Sequence, residues 1–125
     1  MNKEFIPYEQ ALELKELGFN EPCLARHIIM TEWEKPTGQI ILQMVDCLNS
    51  DKYLVKAPLY QQAFRWFREK HDLHSWVTME LGARLTFCWT ITGEYKGTEY
   101  KAFFKTYEEA ELACLNKLIE IIKLK

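Results

Sequence analysis

The sequence predicts an α+β fold, a single domain over 1–125 in which about three helices pack on antiparallel sheet in the order αββ(β)αβββα. Three observations point there. Helical patterns with clear end signals stand at the start, middle and end of the chain. Between them lie β-branched and aromatic segments bounded by turn residues, which read as two hairpin or meander units. No long linker, low-complexity tract or repeat interrupts them. At 125 residues, 48% of them hydrophobic and 14% aromatic, the chain has the length of about one domain and enough apolar area for a core.

The first helix is expected at about Tyr8 to Leu17, with Pro7 near its start and Gly18 just past its end, the usual asymmetry of helix termini. Phe19 follows the glycine and can fold back on Leu14 to close a Schellman-type cap. Cys23 to Trp33 and Gln39 to Cys47 read as a hairpin across the turn Glu34-Lys35-Pro36-Thr37-Gly38, and Tyr53-Leu54-Val55 as a short added strand. Pro58 opens a second helix, about Leu59 to Lys70, whose Leu59, Ala63, Phe64, Trp66 and Phe67 form an apolar face.

The cleanest strand signal runs from Arg84 to Thr92. Leu85, Phe87, Trp89 and Ile91 alternate with Arg84, Thr86, Cys88, Thr90 and Thr92, so the first set should meet the core and the second should be polar-facing. With Trp76 to Leu81 and Thr98 to Lys105 it makes a three-stranded meander, and Gly82, Gly93 and Gly97 are expected at its turns with positive φ. The last helix carries a capping box: Thr106 accepts from a first-turn amide and Glu109 reaches back to the Thr106 amide. Its apolar stripe is Ala110, Cys114, Leu115, Leu118, Ile121 and Ile122.

Charge is nearly balanced, 16 basic against 18 acidic for a net of -2, so no global field draws in nucleic acid or an anionic membrane. No stretch reaches the roughly 18 apolar residues of a membrane span. The start, Met1 to Phe5, lacks the basic-then-apolar pattern of an export signal, so a cytoplasmic protein is expected. Cys23, Cys47, Cys88 and Cys114 are far apart and form no CxxC pair, which suits free thiols.

The candidate binding surface is the second helix, where Arg65, Trp66, Arg68, Lys70 and His71 interleave basic and aromatic residues. Such a pattern can track a phosphate backbone and stack bases, or anchor a protein interface. The same residues also suit an ordinary amphipathic helix, with the aromatics inward and the arginines as a solvated flank. His71 and His74 beside Asp72 are too few for a stable metal site, which takes three or four ligands, so no metal or cofactor is expected. Ser50 and Ser75 lie in no triad context, and Cys88 with His27 or His71 is the remaining nucleophile pairing. No constellation for a stated reaction is present, so a non-enzymatic protein is expected.

At Pro7-Tyr8-Glu9-Gln10-Ala11-Leu12, Leu17-Gly18-Phe19-Asn20-Glu21-Pro22-Cys23, Ala57 to Arg68 and Thr106-Tyr107-Glu108-Glu109-Ala110-Glu111, the chain resembles a family of short uncharacterised proteins encoded by phages and prophages of gut Bacteroidetes. The resemblance covers about half the chain. It implies a phage accessory protein in a host cytoplasm, binding a host or phage protein and possessing no inherited catalytic residue, with inhibition of host defence as one role. From Leu59 onward the order helix, three strands, helix is similar in topology to the double-stranded RNA-binding domain. That second likeness implies a nucleic-acid module as the alternative. Against it, Glu108, Glu109 and Glu111 stand where that domain carries its basic cluster, and Gly82-Ala83 lacks its Gly-Pro-x-His loop.

Overall fold

The computed structural model describes residues 4–23, 25–28, 39–42, 54–93 and 97–124. Its described elements follow the order αβββαβββα, the α+β class expected. Contacts gather the chain into two compact units, Met1–Tyr60 and Gln61–Lys125.

In the first unit, α1 spans Tyr8–Glu16. Its end is a Schellman cap: the Phe19 amide donates to the Leu14 carbonyl at 2.9 Å and the Gly18 amide to the Lys15 carbonyl at 3.1 Å. This geometry needs the left-handed φ of 101° at Gly18, which costs a glycine nothing. Strands β1 (Ala25–Ile28), β2 (Gln39–Leu42) and β3 (Leu54–Ala57) form a sheet ordered β2-β1-β3. The hairpin is therefore joined by a third strand on the far edge of β1, where Ala25 pairs with Ala57. Helix α1 packs against β3, and the Ile6 amide donates to the Pro58 carbonyl at 2.9 Å. The rest of the expected first two strands, 29–33 and 43–47, together with the turn between them and Tyr53, lies outside the described residues.

The second unit takes in α2 (Tyr60–His71) from its second residue onward; α2 passes through the single residue Asp72 into β4 (Leu73–Leu81), followed by β5 (Leu85–Gly93), β6 (Gly97–Phe104) and α3 (Tyr107–Lys123). The sheet is the expected meander, ordered β4-β5-β6. Helix α3 lies on it, burying Ala110, Cys114, Leu115, Leu118, Ile119 and Ile121. Ile119 replaces Ile122 in the expected stripe, because Ile122 is only half-buried. Trp89 and Ile91 of β5 are buried, and Lys117 of α3 pairs with Glu99 of β6 at 3.5 Å.

Several local expectations are corrected. The Thr106 hydroxyl accepts from the Glu109 amide at 3.1 Å, but the Glu109 carboxylate accepts from the Lys105 amide, one residue before the Thr106 amide. Positive φ occurs at Gly97 and not at Gly82 or Gly93. Gly93 is needed for space instead, since a Cβ there would meet Leu73 Cδ2 at 3.0 Å and the Asp72 carbonyl at 3.2 Å. Alternation on β5 also breaks at both ends of its polarity: Leu85 is exposed, while Cys88, on the nominally polar face, is buried.

Candidate interaction site

The basic aromatic helix is not one surface. Arg65, Arg68 and Lys70 are exposed, but Trp66 is only 4% exposed and Phe67 fully buried. The rings of Trp66 and Phe67 meet edge-on at 5.0 Å, and His71 lies against Trp66 at 4.9 Å. Trp66 is therefore a packing residue, unavailable to stack a base or fill a partner's pocket, and His71 is half-buried beside it. Two of the five candidates thus belong to the helix's buried side, and three flank it.

Several exposed apolar side chains of the described surface gather elsewhere, around the turn between β4 and β5. The register sets Leu81 opposite Leu85 and Met79 opposite Phe87, and Phe87 opposite Phe104. Cross-strand partners share a face of the sheet, so these side chains form one strip, which the Tyr107 ring extends by meeting Phe87 edge-on at 6.0 Å. Leu81 is 86% exposed and Met79 65%, with Leu85 and Tyr107 also exposed. Helix α3 covers this face over Trp89 and Ile91 and leaves the tip open.

Behind the tip lies an open cleft of about 590 Å³ lined by Glu80, Leu81, Gly82, Ala83, Arg84, Thr86 and Phe103. A β-bulge shapes it. Two steps along β5, from Phe87 to Trp89, are matched by three along β6, from Phe104 to Lys101. The extra residue falls at Ala102-Phe103, and Phe103 takes a φ of 72° while standing 80% exposed. A bulky side chain in the left-handed region costs about 1 to 3 kcal/mol, and such strain gathers at ligand and partner sites. Bulges likewise re-aim a side chain beside functional surfaces.

The face opposite α3 carries a polar row. The Thr78 hydroxyl and Cys88 Sγ are 2.8 Å apart, and Cys88 donates to Glu80 Oε1 at 3.6 Å. The Glu80 carboxylate, with smaller help from burial, holds the Tyr100 phenol above its ordinary range. On the other side of the sheet, burial pushes the Cys114 thiol up to about 12, against a smaller opposing effect of the Ser75 hydroxyl, so it is an inert packing group. Burial first and Glu108 second raise the Glu111 carboxyl to about 7, and burial also raises Tyr107.

His71 packs on Trp66, and His74 Nε2 lies 3.2 Å from Asp72 Oδ1, while Cys88 has a hydroxyl and a carboxylate as its hydrogen-bond partners. Among the described residues no three His, Cys, Asp or Glu side chains converge on a metal position. Cys23, Cys88 and Cys114 are buried; Cys47 lies outside the described residues, and of His27 only the backbone is described. Among the described residues no helix is long and apolar enough to cross a membrane.

Sequence reasoning passed over Met79, Leu81, Leu85, Tyr107 and Phe103. The available signal was that apolar alternation runs up to the turn on both strands, farther than one helix can cover. No protein-family model matches the chain, and neither a curated protein nor a solved structure is significantly similar to it.

Proposed function

We propose that this is a small, non-enzymatic accessory protein of phage type that acts by binding a host or phage protein through the tip of the β4–β5 hairpin. The observation that supports this reading is the apolar strip of Met79, Leu81, Leu85, Phe87, Phe104 and Tyr107, in which Phe87 and Phe104 are half-buried and the other four exposed. A contiguous exposed apolar patch is a common mark of a protein interface. Inhibition of a host defence system is the form such binding would take in a phage-encoded protein.

The alternative is a nucleic-acid module. Trp76 and Tyr100 flank Thr90 in one row on the face opposite α3, and both are exposed, an arrangement that could stack bases. Phosphate contacts dominate nucleic-acid affinity, however, and the strand residues of that face, His74 to Glu80, Thr86 to Thr92 and Thr98 to Tyr100, include no lysine or arginine at the positions that share it. The start of α3 adds Glu108, Glu109 and Glu111. The protein reading therefore stands first.

The test is comparative. The purified protein should show no binding to duplex or single-stranded RNA at ~150 mM salt, the condition under which non-specific binders hold at micromolar levels. Immobilised, it should retain a specific protein from extracts of phage-infected host cells that a folded Leu85→Asp/Phe103→Asn variant does not retain. RNA binding by the wild type, or equal retention by the variant, would overturn the reading.

A further inference from the structure

We propose that the protein forms a two-fold dimer in which β4 pairs antiparallel with its own copy, centred on Val77. The sheet order leaves β4 and β6 as edges. The two edges differ. Strand β6 carries a bulge at Ala102-Phe103 and a lysine, Lys101, devices that blunt an edge against further pairing. Strand β4 has neither: its nine residues pair with β5 without a register break, contain no proline, lysine or arginine, and pair with no other strand among the described residues. Such an edge presents a row of unmatched amides and carbonyls.

The sequence of β4 is complementary to itself in one register. With the axis at Val77, the middle of Leu73–Leu81, His74 falls opposite the partner's Glu80 and Glu80 opposite the partner's His74. These are the strand's two titratable side chains, on one face, and an imidazole across from a carboxylate makes a favourable cross-strand pair. Leu81, the most exposed of the large apolar residues among those described at 86%, comes to lie against the partner's Leu73, and Trp76 against the partner's Thr78. Moving the axis one residue removes the match: at Trp76 it sets Glu80 against the partner's Asp72, and at Thr78 it sets His74 against the partner's Gly82. The product is a continuous six-stranded sheet across two copies.

Sedimentation equilibrium over roughly 1 to 200 µM tests this, because a single strand pair buries less than the standard ~1,600 Å² interface and should dissociate in the micromolar range. The wild type should pass from the mass of one chain to that of two. Glu80→Lys removes the carboxylate from both His74 pairs and sets an ammonium against each imidazole, which should weaken association about tenfold, and Leu81→Asp should act in the same direction. The double variant His74→Glu/Glu80→Lys restores opposite charges and should recover the wild-type value to within about threefold. A wild type that stays monomeric overturns the proposal. So does a dimer indifferent to Glu80→Lys and Leu81→Asp, or one that the double variant fails to restore.

Discussion

Trp89 is the largest buried side chain of the second sheet, 5% exposed, paired with Val77 and Lys101 and covered by α3. An indole buries about 150 to 250 Å², worth about 4 to 6 kcal/mol at 25 cal/mol per Å². Truncation to alanine keeps a small part of that burial and leaves a cavity, giving the ~3 to 5 kcal/mol usual for such changes. One feature works the other way: Trp89 Nε1 is buried and meets no acceptor among the described residues, and removing an unsatisfied donor recovers about 1 kcal/mol or more. Trp89→Ala should therefore cost ~3 kcal/mol, and Trp89→Phe, which sheds the donor and keeps a ring, about 1 kcal/mol or less. Urea unfolding followed by circular dichroism reads both. With a slope of about 2 kcal/mol per molar, the alanine variant's midpoint should fall by ~1.5 M. The exposed Arg65→Ala should move it by under ~0.3 M, a surface change of about 0.5 kcal/mol or less. Equal shifts for Trp89→Ala and Arg65→Ala would refute the placement of Trp89 beneath α3.

Further expectations concern strain, charge and capping. Phe103→Asn should raise stability by about 0.5 to 1 kcal/mol in the same assay, because asparagine tolerates the left-handed φ of 72° and an exposed ring has little packing to lose; a destabilised variant would show that the ring packs. Glu111 has its carboxyl raised to about 7, so the native protein holds a proton that the unfolded chain has released, and stability should decline as pH rises from the ordinary carboxylate range through 7. Glu111→Gln should change little at pH 4 and stabilise by about 1 kcal/mol at pH 8, after allowance for screening at a half-exposed site; a gain equal at both pH values would contradict this. Thr106→Ala removes the acceptor for the Glu109 amide and should cost about 1 kcal/mol, with no loss counting against the cap.

Local signals in the sequence were legible where one residue determines one geometry. Pro7 and Gly18 mark the ends of α1, Thr106 caps α3, and the apolar alternation locates β5, because each acts through neighbours a few positions away. Boundaries set by tertiary pairing were less legible: β4 begins at Leu73 instead of Trp76, since pairing with Gly93 extends it. The candidate site was the least legible part. The basic aromatic pattern of α2 supported two readings, a binding surface and an ordinary amphipathic helix, and Trp66, which its spacing places on the apolar face, is buried as the second has it. The tip residues looked like core, because Leu81 and Leu85 obey the same alternation as Trp89 and differ only in lying beyond the reach of α3. The bulge at Phe103 has no sequence signature, since its usual marker, a glycine in the left-handed position, is missing.

The most direct test of the hairpin tip as the contact surface is hydrogen–deuterium exchange on the protein alone and with its captured partner. Protection on binding should fall in Met79 to Phe87 and in Ala102 to Tyr107, with the exposed side of α2, Arg65 to Lys70, unchanged. Protection confined to α2, or to the first unit, would contradict it.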